Sequence, residues 1–150
     1  MRKKILFIVI CGIMLLSGCK KEVSEETKTY AFDVEAKNKI VFEVQDGYDI
    51  NSDAPFMISK NGENQTELMF ISKEKYNEFC DTIKVDKNAT IIDSDIKDNN
   101  NYMFWSYDNA DKEYDVAMLI KDSDMGVFLK NTVSAESAKE CFEALTVHNE

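Results

Sequence analysis

The stretch YMFWSYDNADKEYDVAMLIKDSDMGVFLKNTV, residues 102–133, decides the fold of this chain. Its three apolar runs have the length and composition of β-strands: Tyr102 to Tyr107, Tyr114 to Ile120 and Val127 to Val133. The two breaks, centred on Asn109 and Ser123, are short and rich in turn-forming residues. Since short connections of this kind join antiparallel neighbours, the stretch predicts three strands of an antiparallel sheet.

Five segments towards the N-terminus also have the pattern of strands. In the first two, apolar side chains alternate with polar ones, as expected for a strand with one buried face. Between the third and the fourth, Asn61-Gly62 favours the positive φ angles of a tight hairpin. The predicted strands are Tyr30 to Glu35, Ile40 to Val44, Phe56 to Lys60, Glu67 to Ile71 and Ala89 to Ile96.

Two segments carry the helical period instead. After Ser72, and again after Ser134, apolar residues recur at the spacing i, i+3, i+4, i+7. Each serine is placed to cap a helix, so we expect helices near residues 73–84 and 135–146. Each apolar stripe must cover a face of the sheet. The sequence therefore predicts an α+β fold, a mostly antiparallel sheet packed by two amphipathic helices, the last at the C-terminus. The stripes are Tyr76, Phe79, Cys80 and Ile83, and Ala138, Cys141, Phe142 and Leu145.

The N-terminus has the parts of a secretory signal. Arg2, Lys3 and Lys4 precede an apolar run, Ile5 to Leu16, that is shorter than the ~20 residues a helix needs to cross a membrane. A retained membrane helix is therefore the weaker interpretation. The run ends in Leu16-Ser17-Gly18-Cys19, which resembles the lipobox of bacterial lipoproteins. The resemblance implies that residues 1–18 are a signal peptide that is removed. Cys19 would then be acylated and would anchor the chain in the lipid bilayer, at the extracytoplasmic face of the cell membrane.

The remaining chain is predicted to be a tether followed by one domain. Residues 20–29 are polar and lack periodicity, which is typical of a flexible linker. With Cys19, they form a lipidated tether over 19–29. Residues 30–150 then form a single globular α+β domain, long enough to enclose one hydrophobic core.

A second resemblance lies near the start of this domain. Phe42-Glu43-Val44-Gln45-Asp46-Gly47-Tyr48 is similar to the apolar-x-apolar-x-x-Gly-aromatic turn of the Mog1/PsbP-like α-β sandwich family. The resemblance would cover Ile40 to Val147. It implies an antiparallel sheet packed by helices, the last of them at the C-terminus. Members of that fold mostly act as binding or assembly factors, and no catalytic residues come with the resemblance.

The charge of the chain narrows the choice of partner. The formal net charge is −10, and it becomes −13 once Arg2, Lys3 and Lys4 are removed with the signal peptide. Such a surface repels nucleic acid, which we therefore exclude as a partner. Arg2 is the only arginine, so the mature chain lacks the planar group that grips phosphate or carboxylate with two hydrogen bonds. A cationic partner, or simple solubility, would explain the acidity.

The sequence predicts that the chain is not an enzyme and that it binds no metal ion and no cofactor. His148 is the only histidine and lies beyond the predicted last helix, where we expect fraying. There is no G-x-S-x-G motif and no glycine-rich phosphate loop. Asp93-Ser94-Asp95 and Asp122-Ser123-Asp124 lack the later ligands of an EF-hand, and Asp49 to Asp53 is more typical of a solvated turn. The many acids leave a catalytic carboxylate pair open as a lesser alternative.

Cys80 and Cys141 remain after the signal peptide is removed, one on each helical stripe. Outside the cytoplasm they could form a disulfide, provided that the two helices lie side by side on one face of the sheet. The alternative is that both are small buried apolar residues.

The aromatic strand is the best candidate for recognition. Met103, Trp105 and Tyr107 face one way, and Tyr102 and Phe104 face the other. If the helices cover only one side of the sheet, the first set forms an exposed patch that binds a protein partner; otherwise it is a second layer of core. We therefore expect a lipid-anchored, non-catalytic binding or assembly factor. The alternative is an inhibitor or immunity lipoprotein that binds a cationic enzyme or peptide, and a small-molecule enzyme comes third.

Overall fold

A computed structural model describes residues 21–23, 27–35 and 38–150 of the chain. It confirms the α+β class, with antiparallel sheets and a last helix near the C-terminus. The helices are α1 (Lys73–Val85) and α2 (Ala135–Glu143). The strands are β1 (Lys21–Val23), β2 (Thr27–Glu35), β3 (Asn38–Gln45), β4 (Tyr48–Ile50), β5 (Phe56–Lys60), β6 (Glu63–Ser72), β7 (Ala89–Lys97), β8 (Asn100–Tyr107), β9 (Glu113–Leu119), β10 (Met125–Asn131) and β11 (Leu145–Asn149).

The strands form two sheets. The large sheet has the order β4-β5-β6-β10-β9-β8-β7, and the small sheet has the order β1-β2-β3-β11. The chain passes from the small sheet to the large one at Asp46-Gly47, where Gly47 takes a positive φ of 87°. Every described pair of neighbouring strands is antiparallel, as the short connections of residues 102–133 predict.

The large sheet is covered on both faces, so the domain has three layers. Tyr102 and Phe104 of β8 point into the main core, which they share with the small sheet and α2. Met103 and Trp105 of the same strand point into a second core beneath α1. Alternate residues of one strand thus belong to different cores, because successive side chains point to opposite faces.

Aromatic rings fill the main core. Phe32 of the small sheet lies edge-on to Phe56 of the large sheet, with ring centroids 4.9 Å apart. Phe42 and Phe70 complete the group, at centroid distances of 5.6 and 5.5 Å from Phe32. Since edge-to-face pairs add to the free energy gained by burial, this cluster holds the two sheets together.

Both helices begin where the sequence predicts. The Ser72 hydroxyl accepts the Lys75 N–H at 3.1 Å, and the Ser134 hydroxyl accepts the Ser137 N–H at 3.0 Å. These bonds satisfy backbone donors that a helix leaves free in its first turn.

A buried polar network docks α2 against the large sheet. The Asn131 amide donates to Thr66 Oγ1 at 2.8 Å and to Ser137 Oγ at 2.9 Å, and its carbonyl oxygen accepts the Val133 and Ser134 N–H groups. Asn131 is 1% exposed. Because an unpaired buried amide is costly, this network fixes where α2 starts.

The structure corrects the boundaries at both ends of the domain. The sequence predicts a second helix that extends to residue 146, but α2 ends at Glu143 and Leu145–Asn149 form β11. The reason is that Leu145 and Val147 alternate into the main core, paired with β3. His148 therefore lies in a paired strand and is not frayed. At the other end, Lys21–Val23 and Thr27–Glu35 pair as strands, so part of the predicted 19–29 tether belongs to the small sheet.

Candidate functional site

Cys19 and residues 1–18 lie outside the described residues, so acylation and the signal peptide stay predictions. Neither described helix is long and apolar enough to cross a membrane.

The structure separates the two remaining cysteines. Cys80 on α1 packs against the second core, and Cys141 on α2 lies in the main core, so the large sheet stands between them. Both are free thiols. The proposed Cys80–Cys141 disulfide is therefore wrong, because the helices lie on opposite faces and not side by side. Burial raises the pKa of the Cys141 thiol and keeps it protonated.

The aromatic face is not an exposed patch. Met103 is 4% exposed and Trp105 is fully buried, and Tyr107 is half-buried at the edge of the same core. Phe79 of α1 lies 5.9 Å from the Trp105 ring and stacks on Phe128 at 4.9 Å. The expectation of a partner-binding surface at Met103, Trp105 and Tyr107 is corrected, because α1 covers this side of the sheet while α2 covers the other.

Two carboxyl groups, those of Asp115 and Glu113, lie close together on the α1 side of the large sheet. Asp115 on β9 lies opposite Lys130 on β10 and Trp105 on β8, and Lys130 Nζ contacts Glu113 at 3.2 Å. Burial, followed by the neighbouring Glu113 carboxyl, raises the pKa of Asp115 to about 8. Asp115 is 1% exposed, so a substrate cannot reach its carboxyl group in this arrangement. This group was not predicted from the sequence. The one signal for it is an acidic residue within a strand whose apolar side chains point to both faces of the sheet.

His148 comes close to other polar side chains on the outer face of the small sheet. A groove of about 300 Å³ there is lined by Thr29, Lys39, Glu43 and His148, together with Glu150. Lys39 Nζ lies 3.8 Å from a Glu150 carboxylate oxygen. Among residues 21–23, 27–35 and 38–150, no group of three or more histidine, cysteine or acidic side chains is arranged to hold a metal ion.

The most exposed apolar side chains lie mainly on and beside one edge of the large sheet. β7 is the last strand of that sheet and pairs with β8 alone. Seven of its nine residues are exposed, including Ile91, Ile92 and Ile96, the last at 63%. Val85, which ends α1 just before this strand, is 80% exposed. An unpaired strand edge is a template for pairing with another chain.

β7 has two different faces. Ile91, Ser94 and Ile96 lie opposite Trp105, Met103 and Asn101, and so share the α1 side of the sheet. Asp93 and Asp95 lie opposite Phe104 and Tyr102, and so share the side of the main core. Ile92 is the extra residue of a β-bulge between these two registers. The regular part of the edge is therefore Asp93 to Lys97.

Two carboxylates close the free edge. Asp93 Oδ1 accepts the backbone N–H of Ser94 at 2.8 Å, and Asp95 Oδ1 accepts that of Ile96 at 2.8 Å. These N–H groups bond to side chains and not to β8, so Ser94 and Ile96 are the residues whose backbone faces outward. The other Asp93 oxygen accepts the Tyr102 hydroxyl at 2.7 Å. Neither acid is in an ion pair with a described residue.

The sequence contains a signal for this edge in the spacing of its acids. Asp93-Ser94-Asp95 lacks the later ligands of a calcium loop, and acids at alternate positions of a strand are typical of an edge strand. The structure places both acids in β7, within the strand predicted over Ala89 to Ile96.

No family model, curated protein or solved structure matches this chain. The likenesses to the lipobox and to the Mog1/PsbP-like fold stay predictions from the residues quoted for them.

Proposed function

We propose that this chain is a lipoprotein, anchored by acylated Cys19 at the extracytoplasmic face of the cell membrane, that binds a protein partner without catalysing a reaction. The observation that carries the binding role is the free edge at β7: a long, exposed strand with apolar and acidic side chains on opposite faces. This edge replaces the aromatic face as the candidate surface.

The second candidate is an inhibitor or immunity lipoprotein that binds a cationic enzyme or peptide. It is favoured by the formal charge of −10 and by Asp93 and Asp95, which have no cationic partner among the described residues. Charge of this kind accelerates association with a partner of opposite charge.

A catalytic role has less support. Among the acidic side chains that the structure describes, Asp115 has the pKa that is raised furthest from its usual value. Its carboxyl group is buried beneath α1. His148 lies on the opposite side of the domain, on the outer face of the small sheet, far in the fold from Asp115.

The anchor is tested by mass spectrometry of the membrane-extracted protein and by fractionation of a Cys19→Ala variant. We expect an acylated N-terminal cysteine in the native protein and loss of the variant from the membrane pellet. An intact Met1, or a variant that still pellets with the membrane, would contradict the proposal.

The binding role is tested by crosslinking the full-length chain in its native envelope and isolating it with its partner. We expect one partner in near-stoichiometric amount, without turnover. Salt separates the two candidates by how much of the binding depends on charge: at ~1 M salt, where the screening length is only ~3 Å, capture of a cationic enzyme or peptide should be lost, whereas a partner held mainly by backbone hydrogen bonds and apolar contacts should stay bound. Absence of any specific partner, or turnover abolished by one Asp or Glu substitution, would overturn the binding role.

A further inference from the structure

We propose that β7 binds its partner as an added strand, and that the partner segment alternates basic residues with apolar ones. The inference rests on the binding role proposed above and specifies where and what the chain binds. It begins from the five residues Asp93 to Lys97, the regular part of the edge, which is bounded by the bulge at Ile92 and by the turn at Asp98-Asn99.

The two faces of this edge set the pattern of the partner. Side chains that lie opposite each other on neighbouring strands share a face. A residue opposite Asp93 or Asp95 therefore meets a carboxylate, which favours lysine or arginine. A residue opposite Ile96 meets an exposed apolar side chain, which favours an apolar residue. Val85 and Ile91 extend the apolar side towards the end of α1.

The carboxylates of Asp93 and Asp95 also satisfy the backbone of the edge before a partner binds. In the free protein they accept the outward N–H groups of Ser94 and Ile96, so the edge is satisfied without a partner. A partner strand would offer its own carbonyl oxygens to these N–H groups. Each released carboxylate would then accept from a basic side chain of the partner, and the donors and acceptors remain paired throughout. A partner strand without basic residues would leave the two released carboxylates without these new hydrogen bonds.

The same acids argue against a second copy of this chain as the occupant. When two β7 edges pair antiparallel about Ser94, Asp93 of one copy lies opposite Asp95 of the other on the same face. Like charges directly opposite destabilise a strand pair. Lys97 does not relieve this repulsion, because its ammonium group already contacts Asp98 and donates to the Leu145 carbonyl oxygen.

The experiment uses the full-length chain in detergent and a blocked synthetic peptide, as long as the regular edge, that alternates lysine with valine. A matched peptide carries glutamate in place of lysine. We expect the lysine peptide to bind and to slow amide hydrogen exchange at Ser94 and Ile96, and the glutamate peptide not to bind. Binding of both peptides alike, or protection confined to other strands, would overturn the inference.

Two kinds of variant test the contacts. Ile96→Pro removes one outward N–H at an edge position, where proline is tolerated, and should abolish binding of the lysine peptide. The double variant Asp93→Asn with Asp95→Asn keeps the shape and removes the charge, and should weaken binding about tenfold, the equivalent of ~1.4 kcal/mol. Asp111→Asn, in the exposed β8–β9 loop, is the matched control and should bind as the native chain does.

Fluorescence of Trp105 reports whether each variant keeps the α1 core. If Ile96→Pro does not fold, the double aspartate variant decides, and unchanged affinity there overturns the inference. The two proposals fail separately. If Ile96→Pro still captures the envelope partner as the native chain does, the edge is wrong and the binding role stands. If the native chain captures no partner, the proposed binding role is wrong, and the peptide experiment then tests only whether β7 binds an added strand.

Discussion

Asp115 on β9 lies directly opposite Trp105 on β8, and both side chains are closed off from solvent on the α1 side of the large sheet. Within the part of the chain that the structure describes, neither Asp115 Oδ1 nor Trp105 Nε1 has a hydrogen-bond partner. Because this acid is buried beside an unpaired donor, we expect the stability of the fold to depend on pH through the protonation of Asp115.

Asp115→Asn should change that dependence. The folded chain keeps the Asp115 proton up to about pH 8, whereas an unfolded aspartic acid releases it near pH 4. Between these values the folded state binds more protons, so the free energy of unfolding should fall as pH rises. The variant should lose this decline and be the more stable protein above about pH 8. Urea denaturation across this range measures the effect.

Asp111→Asn, on an exposed loop, is the control for that experiment and should keep the native decline with pH. An unchanged slope in Asp115→Asn would show that Asp115 titrates normally.

Trp105→Ala should destabilise the fold and not merely remove a contact surface. Trp105 is fully buried between β8 and α1, against Phe79 and Phe128. Truncating a buried tryptophan costs ~3–5 kcal/mol, and we expect that loss in denaturant unfolding followed by circular dichroism. Tyr107→Phe, at the half-buried margin of the same core, should cost much less. A native stability for Trp105→Ala would mean that α1 does not cover this face.

Phe142→Ala tests the docking of α2. The Phe142 side chain is buried in the main core, with its ring centroid 4.7 Å from that of Tyr102. We expect a loss of ~3–5 kcal/mol in the free energy of unfolding. Val133→Ala, exposed just before α2, should change it by less than ~0.5 kcal/mol. A loss below ~1 kcal/mol for Phe142→Ala would show that α2 is not docked in this way.

Asn131→Ala should loosen the start of α2. The substitution leaves the Thr66 and Ser137 hydroxyls and the Val133 and Ser134 N–H groups without their common partner. A buried network broken on one side costs ~1–3 kcal/mol or more. Thermal unfolding measures the loss, and amide exchange should speed up in the first turn of α2. Asn109→Ala, in an exposed loop, serves as the control, and equal effects of the two would contradict the role of Asn131.

Cys80 and Cys141 should stay unlinked outside the cytoplasm. The large sheet separates them, so oxidation cannot join them within one folded chain. We expect identical unfolding curves with and without reductant, and alkylation of Cys141 only after unfolding, because it is 1% exposed and burial raises the pKa of its thiol. A peptide map that links the two residues would contradict the arrangement of the helices.

Much of the local structure was predictable from short-range patterns. Asn61-Gly62 takes the positive φ angles expected of its hairpin, 51° and 86°. Ser72 and Ser134 cap the helices that follow them. The apolar runs of residues 102–133 became β8, β9 and β10, paired in the expected antiparallel manner. These features depend on backbone preferences and on neighbours a few residues away, which a single sequence displays.

The candidate site was not predictable in the same way. Periodicity correctly divided Met103 and Trp105 from Tyr102 and Phe104, but it did not say whether the two helices would cover one face of the sheet or both. It placed Asp93 and Asp95 within a strand without revealing that this strand lies at an edge. It also extended the last helix through Leu145, because that residue fits the helical spacing as well as the strand that pairs with β3.

The sequence by itself therefore determined the fold class, the hairpin, the helix caps and the side chains that share a face. Only the tertiary structure decided that α1 and α2 lie on opposite faces, that Cys80 and Cys141 are apart, that Trp105 and Asp115 are closed off, and that β7 is free. The physical reason is that the order of strands in a sheet is set by hydrogen bonds between residues far apart in the chain. Side-chain alternation gives each strand two faces, but the partner that covers each face is chosen by the packing of the whole domain.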